Sequence, residues 1–199
     1  APDTYMEKIV IGSNLPKNLL DIDFGVEKNI KLLSEAKNKK ISDLNACVLK
    51  RPRHDKIVRE LEKMSVKINY ITDGDIAGAL SVIGDNPKND IYYSTGGGPE
   101  GVIVAAALSC YGGQIQGRLV LNEDEKVRAK KLGIKDFNKK YNIEDMVKGD
   151  VIFCATGVTS GDLASGVKDL GNEFEVNTFS LHKSQNIIKS VRNIYNKWI

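Results

Sequence analysis

The chain has 199 residues, 41% of them hydrophobic, which is enough apolar surface for one full α/β domain or one and a half small ones and excludes a disordered chain. Its 29 basic residues exceed the 26 acidic ones by three and lie scattered without long blocks, so neither nucleic acid nor a membrane surface is called for as a partner. No apolar run reaches the ~18 residues of a membrane span. Cys47, Cys110 and Cys154 stand far apart with no CxxC and no metal-ligand spacing to His54 or His182, which excludes a zinc site and reads as buried free thiols in a reducing cytoplasm.

Segments rich in Val, Ile and Tyr alternate with helical patterns, the signature of an α/β layered architecture. In chain order they predict a strand near 8–11, preceded by Asp3 and Tyr5, then a helix near 26–37 and a strand near 44–50. A helix near 53–64 follows, with Ile57, Val58, Leu61 and Met64 on one face, then a strand near 66–72 and a helix near 75–83. A strand near 90–94 leads to a helix near 99–111, a strand near 115–121, a helix near 123–132 and a surface excursion over 133–142. The tail reads as a strand near 150–155, strands within 173–183 and a short helix near 186–194.

In open parallel sheets ligands bind outside the C-terminal ends of the strands, so the residues after each predicted strand belong together. They are Arg51-Pro52-Arg53-His54, Asp73-Gly74-Asp75, the glycine run 96–100 and Thr156-Gly157. Ser94-Thr95-Gly96-Gly97-Gly98-Pro99-Glu100-Gly101 is the most informative stretch. Glycines permit close backbone approach, Pro99 suits a first helical turn, and a helix N-terminus attracts an anion such as phosphate. Glu100 would repel that phosphate unless a divalent cation stands between them, so the stretch asks for a metal such as Mn2+ or Mg2+; the plainer reading of Glu100 is a favourable charge in a first helical turn.

Arg51 and Arg53 flank a stiffening proline, and two guanidinium groups on a fixed turn can grip a phosphate; the plainer alternative is two solvated arginines. Asp73 and Asp75 around Gly74 can accept hydrogen bonds from sugar hydroxyls or ligate a cation, whereas helix capping would explain only Asp75. The Tyr5 hydroxyl can reach a phosphate or simply pack. Gly96, Gly98 and Gly101 also satisfy G-x-G-x-x-G, so a Rossmann-like nucleotide-binding oxidoreductase is a rival, with Glu123 or Asp124 as its ribose partner and Trp198 as a fluorescent reporter of NAD(P). Glu100 beside a pyrophosphate without a counter-ion weighs against it.

Taken in order, APDTYMEK, KRPRH, TDGD, GGGPEG before an alanine-rich helix, FCATGVTSGDL and TFSLHKS resemble the class II fructose-1,6-bisphosphatases of bacteria, in the lithium-sensitive phosphatase superfamily, over essentially the whole chain. The resemblance implies a layered αβαβα sugar-phosphatase fold, with 1–40 as the remainder of an N-terminal domain and 41–199 as the C-terminal α/β substrate-binding domain. It places Tyr5, Arg51, Pro52, Arg53, Asp73, Gly74, Asp75 and Gly97 on substrate-contacting positions and Glu100 on a metal-ligand, catalytic position. Arg51 stands where lysine is frequent, Gly98 where the family loop commonly reads alanine, and Thr95 where a less polar residue is common.

The N-terminal metal-binding motifs of the EGE and DP-x-EGT kind do not occur, so the chain looks like the C-terminal three-fifths of the enzyme, with the missing N-terminal segment as its partner. The implied reaction removes the 1-phosphate of fructose 1,6-bisphosphate in gluconeogenesis, with Mn2+ or Mg2+, in a homodimer or homotetramer. A noncatalytic sugar-phosphate-binding domain is the second rival.

Overall fold

The computed structural model describes residues 4–197. Asp3 and Trp198 lie outside the described residues. Ten strands and six α-helices follow one another as β1 (Tyr5–Ile11), α1 (Gly25–Lys37), β2 (Asn45–Leu49), α2 (Asp55–Lys63), β3 (Lys67–Ile71), α3 (Asp75–Leu80), β4 (Ile91–Gly97), α4 (Gly98–Tyr111), β5 (Gln114–Val120), α5 (Glu123–Lys131), β6 (Lys140–Tyr141), α6 (Ile143–Met146), β7 (Ile152–Thr156), β8 (Lys168–Asp169), β9 (Glu173–His182) and β10 (Ile187–Asn196). Among the described residues no helix is long and apolar enough to cross a membrane.

Two sheets form. The larger has the order β3-β2-β4-β1-β5-β6, and the smaller runs β10-β9-β7 with β8 pairing β9. The larger sheet is mixed rather than parallel throughout: β2 runs parallel to β3 and β4, whereas β1 lies antiparallel between β4 and β5. The C-terminal ends of β2, β3 and β4 therefore share one edge with the N-terminal end of β1, and that brings Tyr5 to the predicted binding edge. Thr156 closes β7 in the other sheet and Gly157 follows it, yet both line one cleft with Asp73 and Gly74 and so stay beside the strand-end set. The 40/41 boundary falls between α1 and β2, and both β1 and β2 belong to the larger sheet.

Period-two alternation sets the layers. Ile9, Ile11, Ala46, Val48, Ile91 and Tyr93 point to one side, where α1 and α2 supply Val26, Ile30, Leu33 and Leu61. Val10, Cys47, Leu49 and Tyr92 point to the other, where α3 and α4 supply Ala79, Leu80, Val104, Ala105 and Leu108. Phe153 of β7 and Leu181 of β9 join that second core from the far side of α4. A helix wedged between two sheets must be apolar nearly all round, and its alanines let both sheets approach, which accounts for the composition of 102–108. The order is thus helix, sheet, helix, sheet, an α/β layered fold as the sequence predicts.

Two expectations are corrected. Residues 187–196 form a strand, not a helix, pairing antiparallel with β9 from Ile187–His182 to Asn196–Glu173. β-branched Ile187, Ile188, Val191 and Ile194 favour the pleat, and Asn186 takes the left-handed conformation (φ 50°) that lets the chain reverse. The thiols differ too: Cys47 is buried and desolvation pushes it up to about 11, but Cys110 is half-buried and Cys154 exposed.

Candidate active site

At the edge shared by β1 and β4, Tyr5 lies opposite Gly97 in the antiparallel register. Arg53 stands above the Tyr5 ring, its guanidinium carbon 4.9 Å from the ring centroid, and donates from Nε to the Thr95 carbonyl at 2.6 Å. Both side chains are largely exposed, so the cation is presented to solvent with its ring support already in place. Glu100 follows in the first turn of α4, half-buried and with no side-chain hydrogen bond among the described residues.

The turn carrying Arg53 is held by a residue without a role in the sequence reading. His54 is fully buried; its Nδ1 lies 2.7 Å from the Leu49 carbonyl, and its Nε2 accepts from the Thr95 amide at 2.8 Å. That pattern fixes the neutral tautomer with hydrogen on Nδ1. Burial holds the imidazole below its usual range, and the Thr95 N–H aimed at Nε2 further opposes a second proton.

The glycines serve a purpose other than flexibility. Gly96, Gly97 and Gly98 have no positive φ, and β4 passes directly into α4 without an intervening loop. A Cβ on Gly96 would sit 2.5 Å from Asp75 Oδ2, and one on Gly97 would sit 2.6 Å from Glu100 Cδ. Gly96 is bare so that the pinned Asp75 carboxylate can lie against it, whereas the Glu100 carboxylate beside Gly97 ends a flexible side chain. The antiparallel β1 beside β4 also departs from the parallel sheet that a dinucleotide-binding G-x-G-x-x-G requires.

Asp75 opens α3 and is engaged from three sides. Its Oδ2 pairs with the buried Lys8 ammonium, and its Oδ1 accepts from the Tyr92 hydroxyl and, at 2.8 Å, from Ser94 Oγ. Burial and then the Asp75 charge push the Tyr92 hydroxyl far up, so it remains a donor. Lys8 also donates to the Gly97 carbonyl at 3.0 Å.

The structure therefore gathers Tyr5, Arg53, Gly97, Glu100 and, through Lys8, Asp75. The others sit further along the same edge. Arg51 and Pro52 line a separate cleft of about 700 Å3 with Tyr70 and Thr72, and Arg51 donates from Nη1 to its neighbour's carbonyl at Lys50 (2.9 Å). Asp73 and Gly74 line another of about 740 Å3 beneath the loop 157–164, with Asp73 Oδ1 accepting from the Gly74 amide at 2.8 Å. His54 and Ser94 lie in the sequence-derived stretches without a role, and Lys8 and Tyr92 are not among the sequence candidates; the signal for Lys8 is a lysine directly before the apolar run of buried Ile9, Val10 and Ile11.

A divalent ion of the Mg2+ or Mn2+ kind takes about six oxygen ligands. Among the described residues there is no group of three or more His, Cys, Asp or Glu that could enclose one. Glu100 offers a single free carboxylate, so these residues by themselves do not build a complete metal site.

Residues 1–195 match the family described as bacterial fructose-1,6-bisphosphatase, glpX-encoded. The chain belongs to this family. The class 2 fructose-1,6-bisphosphatase of Haemophilus influenzae is 35% identical over 98% of the chain and 62% of its own length. Fructose-1,6-bisphosphatase 1 class 2 of Escherichia coli is 32% identical with the same coverage. The D-fructose 1,6-bisphosphatase class 2/sedoheptulose 1,7-bisphosphatase of a Synechococcus strain is 34% identical over 99% of the chain and 60% of its own length. The chain thus spans about three-fifths of the length of these curated fructose-1,6-bisphosphatase relatives.

Proposed function

We propose that this chain forms the sugar-phosphate-holding part of a cytoplasmic fructose-1,6-bisphosphatase, acting in gluconeogenesis as a homodimer or homotetramer. The observation that carries the reading is Arg53 stacked on Tyr5 beside Gly97 and Glu100, in a chain of this family. Arg53, with Tyr5 beneath it, holds the 6-phosphate of fructose 1,6-bisphosphate; Arg51 and Pro52 border that phosphate from the next cleft. Asp73, Gly74 and Asp75 face the sugar hydroxyls, and the Gly97 backbone lies against the ring. Anchoring the remote phosphate fixes where the 1-phosphate sits, which turns binding into orientation for hydrolysis.

Among the described residues Glu100 is the ligand this chain offers to Mn2+ or Mg2+, whose role when bound is to neutralise charge on the reacting phosphoryl group. The remaining donors come from a family segment outside these 199 residues, and the chain alone is inactive. Phosphate release from fructose 1,6-bisphosphate tests this: none is expected from the chain alone, and release is expected on adding the N-terminal two-fifths of a relative with Mn2+ or Mg2+. Turnover by the chain alone, or mixed-chain turnover indifferent to Arg53→Ala, would overturn the assignment.

A further inference from the structure

Lys8 is buried to the last atom of its side chain, in the middle of the strand at the centre of the larger sheet. Taking an ammonium out of water is costly unless it is paired and hydrogen-bonded, and a well-packed apolar residue at such a place often serves stability equally well. What the lysine does here that an apolar residue cannot is join two helix N-termini. Its Nζ holds Asp75, the first residue of α3, and donates to the carbonyl of Gly97, which immediately precedes α4.

The surrounding glycines are cut to fit this pair. A Cβ on Gly96 would lie 2.5 Å from the Asp75 carboxylate, and one on Gly101 would lie 3.2 Å from Lys8 Cδ and 2.6 Å from Met6 Sδ. Within GGGPEG, Gly96 thus makes room for the ion pair, and Gly101 for Met6 and the Lys8 stem beside it.

From this geometry we propose that Lys8 is a positioning residue: it sets the Asp75 carboxylate and the Gly97 backbone relative to each other, so that the sugar-contacting wall has one fixed shape. The proposal rests on the sugar-phosphate reading of this site. Arg53 lies outside the pair, tied instead to Thr95 and Tyr5, so phosphate capture and sugar placement are separable.

Titration calorimetry with two probes, inorganic phosphate and fructose 6-phosphate, exploits that separation. The unaltered protein is expected to take both, the sugar phosphate more tightly. Lys8→Met, which keeps the stem and removes the charge, is expected to weaken fructose 6-phosphate at least tenfold while leaving inorganic phosphate within twofold. Lys8→Arg, which keeps the charge, is expected to recover part of the loss; if Lys8→Met does not fold, Lys8→Arg alone is expected to weaken fructose 6-phosphate several-fold with phosphate unchanged.

Fructose 6-phosphate affinity unchanged in the folded variant, or equal losses for both probes, would reduce Lys8 to a scaffold residue and overturn the proposal. If the unaltered protein takes neither probe, the sugar-phosphate reading itself fails, and the proposal with it.

Discussion

Replacing His54 by alanine tests how the cationic turn is fixed. The ring is fully buried and serves two backbone groups, the Leu49 carbonyl at 2.7 Å and the Thr95 amide at 2.8 Å. Each backbone group left unpaired in the interior costs about 1–3 kcal/mol, and the space vacated by the ring adds a cavity penalty. The expected loss is therefore roughly 3–5 kcal/mol, a large share of the ~5–15 kcal/mol that holds a domain folded. Equilibrium urea unfolding followed by circular dichroism reads it as a lower midpoint at unchanged slope. A loss below about 1 kcal/mol would mean that His54 does not carry these bonds.

The same residue predicts a pH dependence. Burial sets the folded imidazole below the unfolded value of 6.5. Between those two values the unfolded chain binds a proton that the folded chain does not, so stability falls as pH falls through this window and levels off below the folded value. The slope contributed is at most about 1.4 kcal/mol per pH unit. His54→Ala lacks this contribution, so the stability gap between the two proteins should narrow from pH 7.5 towards pH 5. A gap independent of pH would refute a buried, neutral His54.

Three further outcomes follow from the site. Gly96→Ala forces a methyl against the Asp75 carboxylate and should cost ~1–3 kcal/mol in the same unfolding assay; a neutral effect would show that Asp75 is free to withdraw. Arg53→Ala should weaken inorganic phosphate in calorimetry by roughly tenfold or more, because a charge-assisted contact is lost, whereas Tyr5→Phe, which retains the ring under the guanidinium, should stay closer to the unaltered protein. Glu100→Gln should lower Mn2+-dependent phosphate release in the mixed-chain assay by roughly tenfold or more while leaving fructose 6-phosphate affinity within twofold; unchanged metal dependence would remove Glu100 from the metal.

Apolar, β-branched and aromatic runs make β2 and β4 legible in the sequence, because each alternates between two cores, and the edge strand β3 keeps the pattern only through Ile68 and Ile71. The direction of β1 is not legible in this way. Apolar alternation is the same whichever way a strand runs, and the antiparallel insertion of β1 is decided by partners eighty or more residues away. The tail shows the complementary failure. Ile187, Val191 and Ile194 fall at helical spacing, whereas a pleat puts Ile194 on the face opposite the other two, and the strand wins through hairpin pairing with β9.

The candidate site divides along the same line. Arg53, Glu100 and the glycines announce themselves because their residue types are costly or unusual where they stand. Their meaning changes once distant neighbours are known: three glycines that read locally as a phosphate cradle have ordinary backbone angles, and Gly96 among them is bare because the Asp75 carboxylate lies against it. Lys8 is illegible for the opposite reason, since a single lysine in a strand suggests an exposed face until the fold brings to it Asp75, a carboxylate that also accepts from Tyr92 and Ser94. The Lys8 charge is thus hidden beneath this edge, tying β1 to the Gly97 carbonyl just ahead of α4, while the edge itself carries the exposed Arg53 and the half-buried Glu100.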